Sequence, residues 1–290
     1  MRVCNFKGII FTVIPPPVDW EDEKVKRKAF EIVSISNMLN VRTINIPEVI
    51  EEKGGKGRVV PYKPKVDNTE FGKILKGFDG SLDIIIDKVV PLIPKDLLED
   101  TLLSISKEFK GITLVGGESS KKVYPGFSPS EAVNFARGLF SKVYGITIFT
   151  RKNEAERLLA KTKAGFNAFI SQIIFETENM RKVLKEYYNL CSSEGVKPAT
   201  IYVSLAPASK KKDIEFMEWL GVYIPEDIKR YLFEDERLVE KRSIELVERL
   251  ALDISTTEGE LGINVEHVMY NNLQVAGYTL HRIKEVCGWK

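Results

Sequence analysis

Short apolar runs alternate along the chain with longer segments whose apolar residues recur at helical spacing. The runs are continuous rather than alternating, which is typical of strands buried on both faces of a parallel sheet. The pattern predicts eight strands, at residues 9–14, 42–46, 83–90, 112–115, 144–149, 168–175, 200–205 and 265–270. It predicts helices at residues 24–39, 68–76, 95–109, 129–141, 154–163, 177–194, 211–220, 236–255 and 273–286.

This order of elements predicts an α/β fold. Eight strands, most followed by a helix, within 290 residues favour a closed (β/α)8 TIM barrel, and a doubly wound open sheet is the main alternative. No change of composition indicates a linker, so we expect residues 1–290 to form a single barrel domain. Residues 51–70 are polar and rich in glycine and proline, which indicates either a βα loop that acts as a lid or a disordered insertion.

The charge balance argues against a nucleic-acid partner, because 43 Lys and Arg residues face 41 Asp and Glu residues, a net charge of +2. No segment approaches the roughly 18 apolar residues that span a membrane, and the first residues do not resemble a signal peptide. We therefore expect a cytoplasmic protein. Two histidines and three widely spaced cysteines argue against a metal site and a Ser-His-Asp triad, so the chemistry must use carboxylates, amides, lysines or a cofactor.

In a barrel, the residues that bind and react lie where strands end and βα loops begin. The fourth predicted strand runs into Gly116 and Gly117, which Glu118 and Ser119 follow. The two glycines indicate either a backbone cradle for a flat or phosphorylated cofactor or a simple tight turn. Gln172 interrupts an apolar run, and because a buried amide needs a hydrogen-bond partner, we expect it to face a ligand at the barrel mouth.

Other polar residues have more ordinary interpretations. Asp87 and Lys88 are neighbours in one predicted strand, so their side chains must point to opposite faces and at most one of them faces a site. The basic run at 210–212 is interpreted as a solvated surface rather than a phosphate site. His267 lies in an apolar strand and is interpreted as a core histidine.

Several segments resemble, in the same order, those of methylenetetrahydrofolate reductases. The strongest resemblance is between the family's central signature and RLLAKTKAGFNAFISQIIFETENM at 157–180. The other similar segments are FTVIPPP at 11–17, ITLVGGES at 112–119, LGVYIPEDIKRYLFE at 220–234 and INVEHVMYNN at 263–272. The resemblance implies a (β/α)8 barrel that holds FAD, in agreement with the fold that the apolar pattern predicts.

The resemblance also implies a set of cofactor-binding residues. Lys161 matches a family lysine near the phosphates of the flavin nucleotide, and Glu154 matches an aspartate that contacts the same cofactor. The glycines of the fourth strand end, Gly116 and Gly117, and the adjacent Ser119 complete the predicted FAD site.

The substrate implied by the resemblance is a reduced folate or a related pterin, which Gln172 contacts as the matching family glutamine does. Thr12 stands where the family has its catalytic glutamate, and Gly117 where it has an aspartate that tunes the flavin. Another strand end must then supply the acid, and we expect it to be Glu118 or Glu48. The further substrate-binding candidates are Thr12, Asn45 and Tyr270.

The implied activity is the interconversion of methylene- and methyl-tetrahydrofolate by hydride transfer through FAD, with NAD(P)H as the electron source. Because two family acids are missing, two alternatives stay open. One is a pterin-binding protein or accessory subunit, and the other is a methyltransferase that works without flavin. A barrel with unrelated small-molecule chemistry is the remaining possibility, and a homo-oligomer or an accessory protein partner is compatible with all of them.

Overall fold

The computed structural model describes residues 4, 6–51, 59–117 and 122–289. Eight parallel strands close a barrel in chain order, which confirms the predicted (β/α)8 TIM barrel and excludes an open doubly wound sheet. The strands are β1 (Ile9–Val13), β2 (Thr43–Ile46), β3 (Asp83–Val89), β4 (Gly111–Val115), β5 (Lys142–Thr147), β6 (Ala168–Ser171), β7 (Thr200–Leu205) and β8 (Leu261–His267).

The helices of the described ranges pack around the strands. They are α1 (Asp22–Met38), α2 (Asn68–Phe78), α3 (Leu98–Ser106), α4 (Pro129–Ala136), α5 (Glu154–Ala164), α6 (Glu178–Ser193), α7 (Lys211–Trp219), α8 (Glu226–Phe233), α9 (Val239–Ser255) and α10 (Leu273–Val286). Ser128 caps α4, because its backbone N–H donates to Glu131 at 2.8 Å. Gly165 ends α5 with a φ of 121°, a conformation that favours glycine. Within the described ranges, no helix has the length and apolar character needed to cross a membrane.

The largest differences from the predicted strand boundaries are at β6 and β8. β6 ends at Ser171, so Gln172 lies just past the strand rather than inside it. β8 begins four residues before the predicted start, at Leu261. Gly262 causes this difference, because glycine breaks the apolar run by which strands were predicted. The barrel needs a glycine there, since a β-carbon at this position would lie 2.5 Å from Cδ1 of the inward-pointing Tyr202.

The interior of the barrel changes character along its axis. The layer nearer the amino ends of the strands is apolar and aromatic, and it consists of Ile10, Ile85, Tyr144, Ala168, Ile170 and Tyr202. A larger core fills the space between the strands and the helices. Toward the carboxyl ends of the strands, several inward positions are polar, which is where barrel enzymes place their active sites.

The end of the predicted polar loop at 51–70 lies against the chain that follows β1. The backbone N–H of Val18 donates to Pro64 at 3.0 Å, and that of Val66 donates to Pro16 at 2.9 Å. Residues 64–66 and 16–18 therefore form a short antiparallel ribbon. The loop connects β2 to α2, as a βα loop should, but residues 52–58 lie outside the described residues and its function as a lid stays a prediction.

Candidate functional site

A hydrogen-bonded polar layer fills the interior at the carboxyl ends of five neighbouring strands. At its centre, the Thr12 hydroxyl on β1 donates to Asn264 Oδ1 on β8 at 2.7 Å. Asn45 Nδ2 on β2 contacts Thr12 Oγ1 at 3.4 Å and donates to Asp87 Oδ2 on β3 at 3.2 Å. All four residues are buried. Two predicted substrate-binding residues, Thr12 and Asn45, thus belong to one network.

The network continues on the other side of the barrel to a second carboxyl group. Asn264 Nδ2 donates to Ser204 Oγ on β7 at 2.9 Å and to Glu266 Oε1 at 3.2 Å. Glu266 is partly exposed, whereas Asp87 at the opposite end is buried. Two carboxyl groups on β3 and β8 are therefore linked through neutral side chains, and Glu266 is the more exposed of the two residues.

Both carboxyl groups hold their protons more strongly than ordinary ones. Burial raises the pKa of Asp87 to about 7, and burial together with the nearby Asp87 charge raises the pKa of Glu266 to about 7. The buried Asn45 Oδ1 accepts no hydrogen bond from any described group, so it is available to a ligand donor. Near neutral pH this layer can both donate a proton and accept hydrogen bonds.

Glu266 lies beside Thr12, the residue that stands where the family has its catalytic glutamate. In the pairing of β1 with β8, Thr12 and Glu266 are direct register partners, so their side chains point to the same face of the wall. The predicted strand at 265–270 placed Glu266 near its amino end, whereas in β8 the residue lies near the carboxyl end, so Glu266 was not predicted as a site residue. The signal that could have found it is the alternation of Gly262, Asn264 and Glu266, which places small and polar residues on one face.

The predicted acid Glu48 makes structural contacts with two residues of β3. It accepts a hydrogen bond from Lys88 Nζ at 2.9 Å and one from the Val89 backbone N–H at 2.6 Å. Only 8% of the Lys88 side chain is exposed, and Asp67 lies 3.5 Å from the same ammonium group. Glu48 therefore ties the end of β2 to β3. The other predicted acid, Glu118, lies outside the described residues.

Gln172 and Tyr270 lie at the mouth, as predicted, and each contacts backbone. Gln172 Nε2 donates to the Leu220 carbonyl at 3.4 Å, and the side chain lines a narrow cavity of about 20 Å³ beside Tyr223. Room for about one water molecule remains there. The Tyr270 hydroxyl donates to the Pro15 carbonyl at 3.2 Å, which places its ring beside the end of β1.

Three other features lie where their ordinary interpretations place them. Asp87 points into the polar layer while its neighbour Lys88 pairs with Glu48. The lysines at 210–212 are exposed. His267 is buried, and burial lowers its pKa to about 3, so this imidazole stays neutral.

Comparison with known proteins identifies the family. A sequence model of the family described as mycobacterial methylenetetrahydrofolate reductase matches residues 10–223. The chain belongs to this family. The resemblance carried by the segments at 11–17, 112–119 and 157–180 is thereby confirmed. No curated protein matches the chain in sequence.

Solved structures extend the likeness over the whole barrel. One is an uncharacterized protein from Clostridium thermocellum that binds two copies of 5-methyl-5,6,7,8-tetrahydrofolic acid, with a TM-score of 0.77 and 19% identity. The match covers 98% of this chain and 97% of that one. Another is a type II Baeyer-Villiger monooxygenase from Pseudomonas putida in complex with FMN, with a TM-score of 0.60, 10% identity and 99% of each chain covered. At these identities the structures show a shared fold.

At the end of β4, where the FAD cradle was predicted, a side chain of the protein packs against Gly117. A β-carbon on Gly117 would lie 2.4 Å from Cζ of Tyr124, so this glycine makes room for a tyrosine ring of the same chain. Gly116 is exposed, and the adjacent Ser119 lies outside the described residues. Gly117 therefore serves the packing of Tyr124 in this member of the reductase family.

The two charged residues of the predicted FAD site lie in the wall of the barrel. Glu154 is buried, and its Oε1 accepts hydrogen bonds from the Thr147 hydroxyl at 2.8 Å and the Ile148 backbone N–H at 3.0 Å. Lys161 Nζ donates to the Ile146 carbonyl at 2.6 Å, and burial lowers the pKa of this amine. Both side chains join α5 to β5. These two members of the predicted FAD site thus have partners within the protein, and their contact with FAD stays a prediction.

Proposed function

We propose that the barrel binds a reduced folate at the carboxyl ends of its strands and interconverts its methylene and methyl forms. The observation that carries the proposal is the polar layer in which Asp87 and Glu266 share a hydrogen-bonded network. Membership of the reductase family supports the substrate class. So does the folate ligand of the Clostridium thermocellum protein, which has the same fold.

Glu266 is the proton donor in this proposal. The reduction of methylene-tetrahydrofolate begins when a proton reaches N10, the bond from N10 to the bridging carbon breaks, and an iminium forms at N5. A hydride, whose source we expect to be NAD(P)H, then adds to that carbon and gives the methyl group. Glu266 supplies the proton and regains one from water. A raised pKa suits this step, because the acid must be protonated at neutral pH and yet release its proton.

The role of FAD as hydride carrier rests on the family resemblance. The placement of Gly117, Glu154 and Lys161 favours a second candidate function, in which the barrel binds the reduced folate, or transfers its methyl group, without flavin. Both functions use the same polar layer. Turnover of methylene-tetrahydrofolate with NAD(P)H distinguishes them, and flavin content shows whether a flavin carries the hydride.

Flavin content is the first test. We expect purified protein to lack the flavin absorbance band at about 450 nm and to retain no added FAD after desalting. The reason is that the Tyr124 ring packs against Gly117, where the FAD cradle was predicted. The same preparation should bind 5-methyl-tetrahydrofolate in a calorimetric titration. Stoichiometric FAD in the purified protein would contradict the second candidate and support hydride transfer through flavin.

Gln172 provides a test of the substrate site. We expect Gln172→Ala to weaken binding of 5-methyl-tetrahydrofolate by about two- to twelvefold, because one hydrogen bond is worth about 0.5–1.5 kcal/mol. Calorimetry of both proteins measures the change. Gln274→Ala, at an exposed glutamine of α10, is the matched control and should leave the affinity unaltered. Equal affinities of wild type and Gln172→Ala would remove Gln172 from the site.

A further inference from the structure

Two of the three cysteines lie side by side where the segment before β1 meets the end of α10. The backbone N–H of Cys4 donates to the Cys287 carbonyl at 3.0 Å. Both thiols are free, and both residues belong to the main hydrophobic core, with 8% of Cys4 and none of Cys287 exposed. The polar layer and the proposed proton transfer use neither residue.

The backbone holds the two residues at a separation that a disulfide can span. Residues joined by a backbone hydrogen bond in this way have α-carbons roughly 5–6 Å apart, which is within the usual range for a disulfide. The thiols are also neighbours, because burial and the Cys4 thiol together raise the pKa of Cys287. Cys191, the third cysteine, is buried on α6 and interacts with Tyr187 instead.

Contacts beside the pair hold the same two segments against the barrel. The rings of Phe6 and Trp289 are 5.7 Å apart between centroids. The backbone N–H of Lys7 donates to the Leu261 carbonyl at 2.7 Å, where β8 begins. Phe6 and Trp289 are only partly buried, so the segment before β1 can separate from α10 more readily than the barrel unfolds. Such local opening gives a small oxidant access to Cys4.

We infer that Cys4 and Cys287 form a site of reversible disulfide formation, for which small disulfides such as oxidised glutathione are the oxidant. The Cys4 thiolate attacks one sulfur of oxidised glutathione and expels a glutathione thiolate, which takes up the proton that Cys4 released. Cys287 then gives up its proton and attacks the Cys4 sulfur, which expels the second glutathione as a thiol. The two protein thiols lose two electrons and two protons, and oxidised glutathione gains them.

The disulfide changes the stability of the barrel. It joins residues 4 and 287, so it encloses nearly the whole chain in one covalent loop. A disulfide restricts the unfolded chain, and this effect grows with the length of the loop. The thiols stay free under reducing conditions, so the barrel gains this stability only when the oxidant is present. The inference is independent of the proposed function, since it involves neither folate nor turnover.

Thiol counting after oxidation tests the inference. Reduced protein is incubated with excess oxidised glutathione, with and without urea at a concentration below the unfolding transition, and is then quenched with acid and unfolded for titration. We expect wild type to fall from three free thiols to one, and peptide mapping to link Cys4 to Cys287. The melting temperature of the oxidised protein should exceed that of the reduced protein by about 5 °C.

Two variants provide the controls. Cys191→Ala keeps the pair, so it should fall from two free thiols to none and show the same rise in melting temperature. Cys4→Ser should form no internal disulfide, and the oxidant should leave its melting temperature unaltered. The inference would be overturned by wild type that keeps three thiols in both incubations, by a disulfide that includes Cys191, or by an oxidised form that melts no higher than the reduced one.

Discussion

Replacement of Glu266 by glutamine is expected to lower the turnover of methylene-tetrahydrofolate by about 10²- to 10⁴-fold, the usual contribution of a general acid. The amide keeps the size of the side chain and can still hydrogen-bond to Asn264, so the polar layer stays intact. It has no proton of useful acidity for N10 of the folate. Steady-state kinetics, together with calorimetry of 5-methyl-tetrahydrofolate, should show lost turnover with affinity retained within about threefold.

Glu260→Gln is the matched control for this substitution. Glu260 precedes β8 at the opposite end of the barrel, where it forms an exposed ion pair with Lys7. Its replacement should leave both turnover and affinity at wild-type values. If Glu266→Gln turns over folate as wild type does, the proton comes from another group, and Asp87 in the same network is then the residue to replace.

The pH dependence of turnover provides a second measure of the same acid. An acid acts only while it is protonated, so the rate constant kcat should fall as the pH rises through about 7, where Glu266 loses its proton. Asp87, with a pKa also raised to about 7, interacts with Glu266, so the fall belongs to the pair rather than to one residue. Residual activity of Glu266→Gln should lack this dependence.

The barrel could be predicted from the sequence because its strands are buried on both faces, and continuous apolar runs report that burial directly. The same criterion fails where the interior becomes polar. Gly262 and Asn264 interrupt the apolar run of β8, so the strand was predicted too far along the chain. Glu266 then fell at the amino end of the predicted strand instead of near its carboxyl end. The functional residues of a barrel are polar residues at inward positions of the strands. They interrupt the apolar runs from which strands are predicted.

The candidate site was predicted in part. Thr12 and Asn45 were placed correctly at strand ends, and the structure adds that they belong to one network. Their partners could not be predicted, because the pairing of β1 with β8 joins residues at opposite ends of the chain. The family resemblance predicts that Glu154 contacts the cofactor. In the structure Glu154 accepts a hydrogen bond from Thr147, which indicates a structural role.

The partner of Glu48 on the neighbouring strand, Lys88, could not be predicted from the sequence either. Replacement of Glu48 has the largest expected effect on stability. Glu48→Ala should lower the free energy of unfolding by about 3 kcal/mol, because it leaves the buried Lys88 ammonium without its nearest carboxylate. For a chain of this size, that corresponds to a fall in melting temperature of about 5 °C. Thermal unfolding followed by circular dichroism measures the shift.

Two further variants separate this structural role from the catalytic one first expected of Glu48. Glu70→Ala removes an exposed partner of Lys73 and should alter stability by less than about 1 kcal/mol. Glu48→Gln keeps the size of the side chain and one acceptor oxygen, for either Lys88 or Val89, so it should retain turnover close to that of wild type. A Glu48→Gln protein that folds normally but has lost turnover would make Glu48 the acid. Retained turnover assigns Glu48 to the junction of β2 and β3, and proton transfer to the carboxyl pair inside the barrel.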